Sequence, residues 1–356
     1  MSDQPEIATT QTMPFEFTGN GFEYFRIWIV NVLLTIITLG IYSAWAKVRT
    51  KRYFYRNTKV DGSPFEYHAR PIQILKGRLL IFGGYVIFVA AAQFQPVISS
   101  IIAIIIGLAT PWLIVRSHVF TARNSSWRNI RFDFNEHSMK DAIRTFLIVP
   151  ILIPFTLGMI IPYLSYRGWR FSVTNSRVGR QPFLFQSVRV GAYYRAFFAI
   201  LFVSVMILIA LFGLAASVGL LSPFFGAEPH DSSIVFLFGI VPFLMIFFLF
   251  LVAVPGYRVM TRNISLNGAA LGEHTFESTL KVWPVIWIYI SNAVAIVFSV
   301  GLLTPWARVR VVRYLANHLV LNAADDLESF VQAEQKKASA FGEEAIDFMD
   351  IDIGGI

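Results

Sequence analysis

Apolar runs long enough to cross a bilayer recur along this chain, and the basic stretches between them compete for one side of the membrane. The runs are 27–45, 79–93, 97–115, 145–164, 196–221, 234–254 and 282–306. Most approach or exceed the ~20 residues that span a hydrocarbon core, and the short second run does so only with Gly77 and Arg78 as a snorkelling end. With 55% hydrophobic residues and 34 Phe in 356 positions, the composition is that of a polytopic membrane protein and not of a soluble globular chain. The residues ahead of Pro14 are polar and lack the basic and apolar regions of a cleavable signal, so insertion is expected to use the internal segments.

Charge decides sidedness. The connection Phe94-Gln95-Pro96 and the connection 221–234 carry no Lys or Arg, and the second holds Glu228 and Asp231. By the positive-inside rule these two are periplasmic and the basic stretches, where all 30 Lys and Arg lie, are cytoplasmic. The net charge of +8 is read the same way, as loop charge and not as a nucleic-acid surface. A parity problem follows, because runs 145–164 and 282–306 each lead from one basic stretch to another. Two topologies answer it. Either 27–45, 145–164 and 282–306 are broken, re-entrant or interfacial helical hairpins turning near Gly40, Gly158 and Gly301, or all seven runs span and one basic loop lies outside.

A motif of Arg, an aromatic four residues on and Asn four further recurs at Arg49/Tyr53/Asn57, Arg116/Phe120/Asn124 and Arg167/Phe171/Asn175. A variant closes the series at Arg310/Tyr314/His318, and a weaker copy at Val259/Asn263 has Pro255 in place of the Arg. One constant spacing relates Gly40 to Gly158, Trp45 to Tyr163 and Asn57 to Asn175; another relates Gly40, Trp45 and Arg49 to Gly301, Trp306 and Arg310. The domain reading is therefore a disordered N-terminal tail (1–14), a first membrane repeat (15–131), a second (132–272), a partial third (273–322) and an acidic cytoplasmic tail (323–356). The expected fold is an all-α polytopic membrane protein with A-B-A-B-A repeats, A being a Gly/Pro-broken segment and B a two-span hairpin. Alternation after Asn57 and Asn175 adds short cytoplasmic β-hairpins at 57–67 and 175–185, with 263–275 a degenerate version. Several such hairpins can pair into a small cap sheet.

None of the 22 Asp and Glu lies inside an apolar run, so a proton relay has no carboxylate to use. Cysteine is absent, the six His show no metal spacing, and there is no Gly-rich phosphate loop. The chain thus shows no catalytic constellation, no metal site and no cofactor site. What remains is the repeated Arg. Pseudo-symmetry would bring Arg49, Arg116, Arg167 and Arg310 to one shelf suited to an anion or a lipid headgroup. The opposing reading has each Arg snorkel alone beside an aromatic belt of Trp45, Trp112 and Trp306, with Asn57, Asn124 and Asn175 as turn or capping residues. Asn31 and Asn292, at matched positions inside broken segments, suit interhelical hydrogen bonds. Leu327, Phe330 and Val331 suggest helical spacing in the tail, which is either solvated or recruits a cytosolic partner.

The run Asn31 to Arg49, with Thr38-Leu39-Gly40-Ile41-Tyr42 and Trp45 at its centre, then Tyr53-Phe54-Tyr55-Arg56-Asn57-Thr58 and Asp61-Gly62, resembles the YjgN-like family of bacterial inner-membrane proteins. The ending Gly342-Glu343-Glu344 through Asp350-Ile351-Asp352-Ile353-Gly354 is similar to that family's ending. The resemblance implies a Gram-negative inner membrane and carries over no catalytic residue, since it is a domain of unknown function. Tyr163 in place of Trp and Pro255 in place of Arg depart from the family pattern. The functional expectation is a non-enzymatic protein that binds or moves a small or anionic solute or lipid, its partners being membrane lipids. The alternative is a scaffold that recruits a cytosolic protein through residues 323–356.

Overall fold

The computed structural model describes residues 11–221, 232–324 and 331–332, without the side chains of 211–212 and 214–249. The connection at Glu228 and Asp231, the first ten residues and most of the acidic tail lie outside the described residues. The expected all-α fold is corrected by a closed antiparallel barrel of ten strands, in the order β1-β10-β9-β8-β7-β6-β5-β4-β3-β2. Its strands are β1 (Gln11–Phe17), β2 (Thr58–Val60), β3 (Ser63–Tyr67), β4 (Ser125–Trp127), β5 (Ile130–Phe134), β6 (Ser176–Val178), β7 (Gln181–Phe185), β8 (Ala269–Leu271), β9 (His274–Ser278) and β10 (Leu319–Ala323). Strands this short cannot stand as isolated hairpins; closure removes every edge and makes each pair part of one sheet. Two-residue turns join them, with positive φ at Asp61 and Gly62 and again at Arg128 and Asn129, as the twist of a tight hairpin requires. The ring is shut by β1 on β10, from Gln11↔Ala323 to Pro14↔Val320, so β1 begins inside the stretch read as a disordered tail.

Helices leave the barrel only from one rim. Between β1 and β2 run α1 (Gly21–Ile37) and α2 (Ser43–Asn57); between β3 and β4, α3 (Pro71–Phe94) and α4 (Pro96–Arg123). Between β5 and β6 lie α5 (Met139–Ile143), a π-helical turn (Arg144–Ile148), α6 (Val149–Phe155) and α7 (Ile161–Thr174). Between β7 and β8 lie α8 (Val190–Leu221) and α9 (Ser232–Asn267); between β9 and β10, α10 (Val282–Phe298) and α11 (Thr304–Asn317). Each helical hairpin starts and ends on two strands that pair with each other, as at Phe17↔Thr58, Tyr67↔Ser125 and Phe134↔Ser176, so all five must return to the rim they left. A backbone bond locks each junction: Thr18 N–H to Asn57 O at 2.9 Å, His68 to Asn124, Asn135 to Asn175 and Gln186 to Gly268 at 2.8 Å, and Thr279 to His318 at 3.0 Å.

The hairpins come in two lengths. Among the described residues, Pro71–Phe94, Pro96–Arg123 and Val190–Ala210 are long and apolar enough to cross a membrane. By contrast α1 and α10 have 17 residues, and α5 through α6 run on for the same length, about 25 Å each against a core of about 30 Å. These short hairpins turn through left-handed residues at Leu39-Gly40, Leu157-Gly158 and Val300-Gly301. In each, the glycine N–H reaches back five residues, Gly40 to Thr35 O at 2.7 Å, Gly158 to Ile153 O at 2.9 Å and Gly301 to Ile296 O at 2.8 Å, which is a Schellman closure. A hydroxyl completes two of them from both sides. Thr38 Oγ1 donates to Leu34 O and accepts from Tyr42 N–H, and Ser299 Oγ accepts from Leu303 N–H. The turns thus satisfy their own backbone. Their tips are also apolar and bare, Leu39 being 94%, Leu157 90% and Val300 92% exposed.

Candidate functional site

The four repeated arginines lie on the second helix of their hairpins, and each has its own local partner. Arg49 donates to the Tyr42 hydroxyl at 3.1 Å, and Arg310 to Ser291 Oγ at 2.7 Å and Asn292 Oδ1 at 3.5 Å. Arg116 lies 5.9 Å from the centre of the Trp112 ring and 4.0 Å from Glu136, while Arg167 is paired with Asp141 and donates to Thr145 at 3.2 Å. No hydrogen bond or ion pair among the described residues joins two of these arginines to a common partner.

The motif asparagines sit where helix becomes strand. Asn57, Asn124 and Asn175 each donate from Nδ2 to the carbonyl four residues back, at 2.8, 2.7 and 2.9 Å, and His318 Nδ1 lies 2.8 Å from Tyr314 O. These bonds satisfy a terminal helix carbonyl at the point where the chain turns into the barrel. The fourth junction falls at Gly268, five residues beyond Asn263. A Cβ there would stand 1.9 Å from Val188 Cγ2 and 2.9 Å from Gln186 O, so no asparagine fits. Asn263 instead donates to Leu280 O at 2.7 Å and accepts from Ser278 Oγ at 2.7 Å, tying α9 to β9. Trp45 stacks on Tyr42 at 6.1 Å, and Trp306 lies against Phe25 at 5.2 Å and over Gly21. Gly40 and Gly301 are the turn residues already described. Asn292 donates to Ala307 O at 3.2 Å across its hairpin, whereas the buried Asn31 amide has no hydrogen-bond partner among the described residues.

Inside the barrel, side chains stack in layers. At the outer end Met13, Val60, Trp127, Ile130, Val178 and Leu271 form a buried cluster that also takes in Val331 of the tail. The middle layer is a ring of five phenylalanines, Phe15, Phe65, Phe132, Phe183 and Phe276, one each from β1, β3, β5, β7 and β9. Neighbouring ring centres lie 6.2 Å (Phe15–Phe65), 6.3 Å (Phe65–Phe132) and 6.1 Å (Phe183–Phe276) apart. Below the ring the returning helices converge around a chamber of about 590 Å³, lined by Phe54, His118, Thr121, Ala122, Arg262 and Leu315 among others. A second, apolar space of about 360 Å³ runs from the last turns of α7 and α9, at Ser172, Val173 and Leu266, into the barrel lumen at Val60, Val178 and Leu271; Phe15, Phe65, Phe132 and Phe183 line both spaces.

Arg262, on α9, is the cation of this chamber. Its Nε is buried without a hydrogen-bond partner, and no ion pair reaches it among the described residues. The carboxylate in the wall, Asp133, is already taken by Arg123 at 3.0 Å. His118 is held by stacking on Phe134 at 4.8 Å and by the edge of Phe171 at 5.9 Å. At the rim, burial pushes the Tyr67 phenol up to about 12. Burial first, and then nearby Lys47, lowers Lys51, whose ammonium lies 4.7 Å over the Tyr67 ring.

Sequence reasoning did not find the ring or Arg262. A signal for the ring was there: Phe15-Glu16-Phe17, Phe65-Glu66-Tyr67, Phe132-Asp133-Phe134, Phe183-Leu184-Phe185 and Phe276-Glu277-Ser278 share one phase, with Phe inward and mostly an acid outward. Arg262 lay within the degenerate copy and carried no signal of its own.

The barrel and its apolar hairpins define a polytopic membrane protein built as a β-barrel cap over helical hairpins. The chain belongs to the family described as bacterial protein of unknown function (DUF898), whose model matches residues 12–348. It is similar to the inner membrane protein YjgN of Salmonella typhimurium strain LT2, with 27% identity over 361 residues, covering 88% of this chain and 89% of that one. Over 147 residues it is 33% identical to the inner membrane proteins YjgN of Escherichia coli O157:H7 and of strain K12, covering 41% of this chain and 37% of each. No solved structure matches.

Proposed function

We propose that the protein is a non-enzymatic inner-membrane protein that binds a small amphipathic or anionic ligand, solute or lipid, in the chamber between its barrel and its helix ends. The carrying observation is a chamber of about 590 Å³ lined by Arg262, whose Nε is buried without a hydrogen-bond partner. That volume falls within the roughly 300–1,000 Å³ of ligand pockets. A scaffold gains nothing from such a space, since packed interiors leave few voids and an unpaired buried polar group destabilises. A transporter calls for a polar site near the bilayer midplane, whereas this chamber lies against the barrel and is largely apolar, which favours binding over passage. Arg49, Arg116, Arg167 and Arg310 lie apart from it in their own contacts and suit headgroups at the interface, one lipid each. The alternative, a tail that recruits a cytosolic protein, has against it that Val331 is buried among the barrel residues.

The topology belongs to the same proposal. By the positive-inside rule the barrel and the basic helix ends are cytoplasmic. The two long hairpins cross and return, and the three short ones enter and turn within the hydrocarbon. Duplication of 15–131 as 132–272, with a partial copy at 273–322, is supported by the alternation of short and long hairpins and by hairpin turns at Arg128-Asn129 and Gly272 near those boundaries. Native mass spectrometry of the solubilised protein is expected to show a discrete bound mass that is lost in Ala122→Trp, which fills the chamber. The same mass on both proteins, or none on the wild type, would refute the chamber as a binding site.

A further inference from the structure

Resting on that reading of the chamber, we infer that the ligand is a single-chain anionic amphiphile, its carboxylate or phosphate held by Arg262 and its chain threaded through the phenylalanine ring into the barrel lumen. Three observations converge. Arg262 lines the chamber, its Nε is buried without a hydrogen-bond partner and no ion pair reaches it among the described residues, and a guanidinium is the group best matched to carboxylate or phosphate oxygens. The two spaces meet at the ring, four of whose phenylalanines, Phe15, Phe65, Phe132 and Phe183, line both of them. From Arg262 to the outer end of the lumen the path is roughly 20 Å, the last turns of α9 plus one strand length, which suits a long acyl chain. Arg262 also lines a side cavity of about 180 Å³ between α9, α10 and α11, bounded by Pro255, Val285, Ile288 and Tyr289.

The test measures retention of radiolabelled palmitate and of hexadecanol, the same chain without the charge, by the full chain in a neutral detergent. Wild type is expected to hold palmitate at least tenfold more tightly than hexadecanol. Arg262→Gln should abolish that preference while leaving hexadecanol retention unchanged, Arg262→Lys should restore part of it, and Phe132→Trp, which narrows the ring, should weaken both ligands. Equal binding of palmitate and hexadecanol by wild type overturns the headgroup assignment and leaves the chamber as a neutral site. Displacement of palmitate by millimolar inorganic phosphate alone overturns the amphiphile in favour of a free anion. Retention of neither chain, with no bound mass on the wild type, defeats the chamber reading as well. Unchanged palmitate preference in a folded Arg262→Gln, judged by its elution as a single species, overturns the role of Arg262.

Discussion

Gly268→Ala is expected to destabilise the solubilised protein by about 3 kcal/mol, the upper end for overpacking, while Gly83→Ala leaves the thermal midpoint unchanged. The difference lies in what each new methyl meets. At Gly83 nothing stands within 4 Å, but at Gly268 the methyl would lie 1.9 Å from Val188 Cγ2 and 2.9 Å from Gln186 O. Val188 can rotate away. The Gln186 carbonyl cannot, because the Gln186 N–H is bonded at 2.8 Å to the Gly268 carbonyl itself, the bond that locks the fourth helical hairpin to its strand pair. Relief of the clash therefore opens β7 from β8, and the other pairs are closed through them into one ring. Thermal unfolding of the two variants side by side measures it; equal midpoints would mean the junction is softer than its hydrogen bonds imply.

The second large effect is expected at the hairpin tips. Lysine at Leu39, Leu157 or Val300 should each cost about 1 to 2 kcal/mol, less than the roughly 2.5 to 3.5 kcal/mol at the centre of a membrane helix because the side chain can snorkel part of the way to the far interface, whereas lysine at Gln95 should cost little. Leu39, Leu157 and Val300 sit at the far end of hairpins about 25 Å long and are almost wholly exposed. In water, three bare apolar tips would be a liability; in hydrocarbon they are the natural end of a segment that does not emerge. Gln95 lies between two helices that are long enough to cross, and the proposed topology puts it at the far interface. The yield of membrane-integrated protein reads the effect, and a triple tip variant that integrates as well as wild type would place the tips in water.

How much of this the residues announced depends on the range of the forces involved. The turns at Gly40, Gly158 and Gly301 were legible because Gly at C″ is a local requirement of the helix end, written in three neighbouring residues. The strand pairs at 57–67 and 175–185 were legible for the same reason, from their turn chemistry. Ser125–Trp127 and Ile130–Phe134 were not, because Arg128-Asn129 holds the turn without a glycine. Closure was illegible altogether, since β1 on β10 joins the two ends of the described chain and no local pattern records it. That is why an all-α bundle with cap hairpins was expected where a barrel stands. Arg262 shows the same limit at the site. An Arg that follows an apolar run, as Arg258 and Arg262 do, reads as a snorkelling end, and only the packing of α9 against α10 and α11 leaves the Arg262 Nε unpaired.

Because the chain contains no cysteine, single cysteines can be placed at Leu39, Val300, Gln95 and Arg180 and challenged with a membrane-impermeant thiol reagent from each side of the membrane. Hairpins that all return to one barrel rim, with the short ones turning inside the bilayer, predict labelling at Gln95 from the periplasmic side only, at Arg180 from the cytoplasmic side only, and at Leu39 and Val300 from neither. Labelling of Leu39 or Val300 from the same side as Gln95 would contradict it.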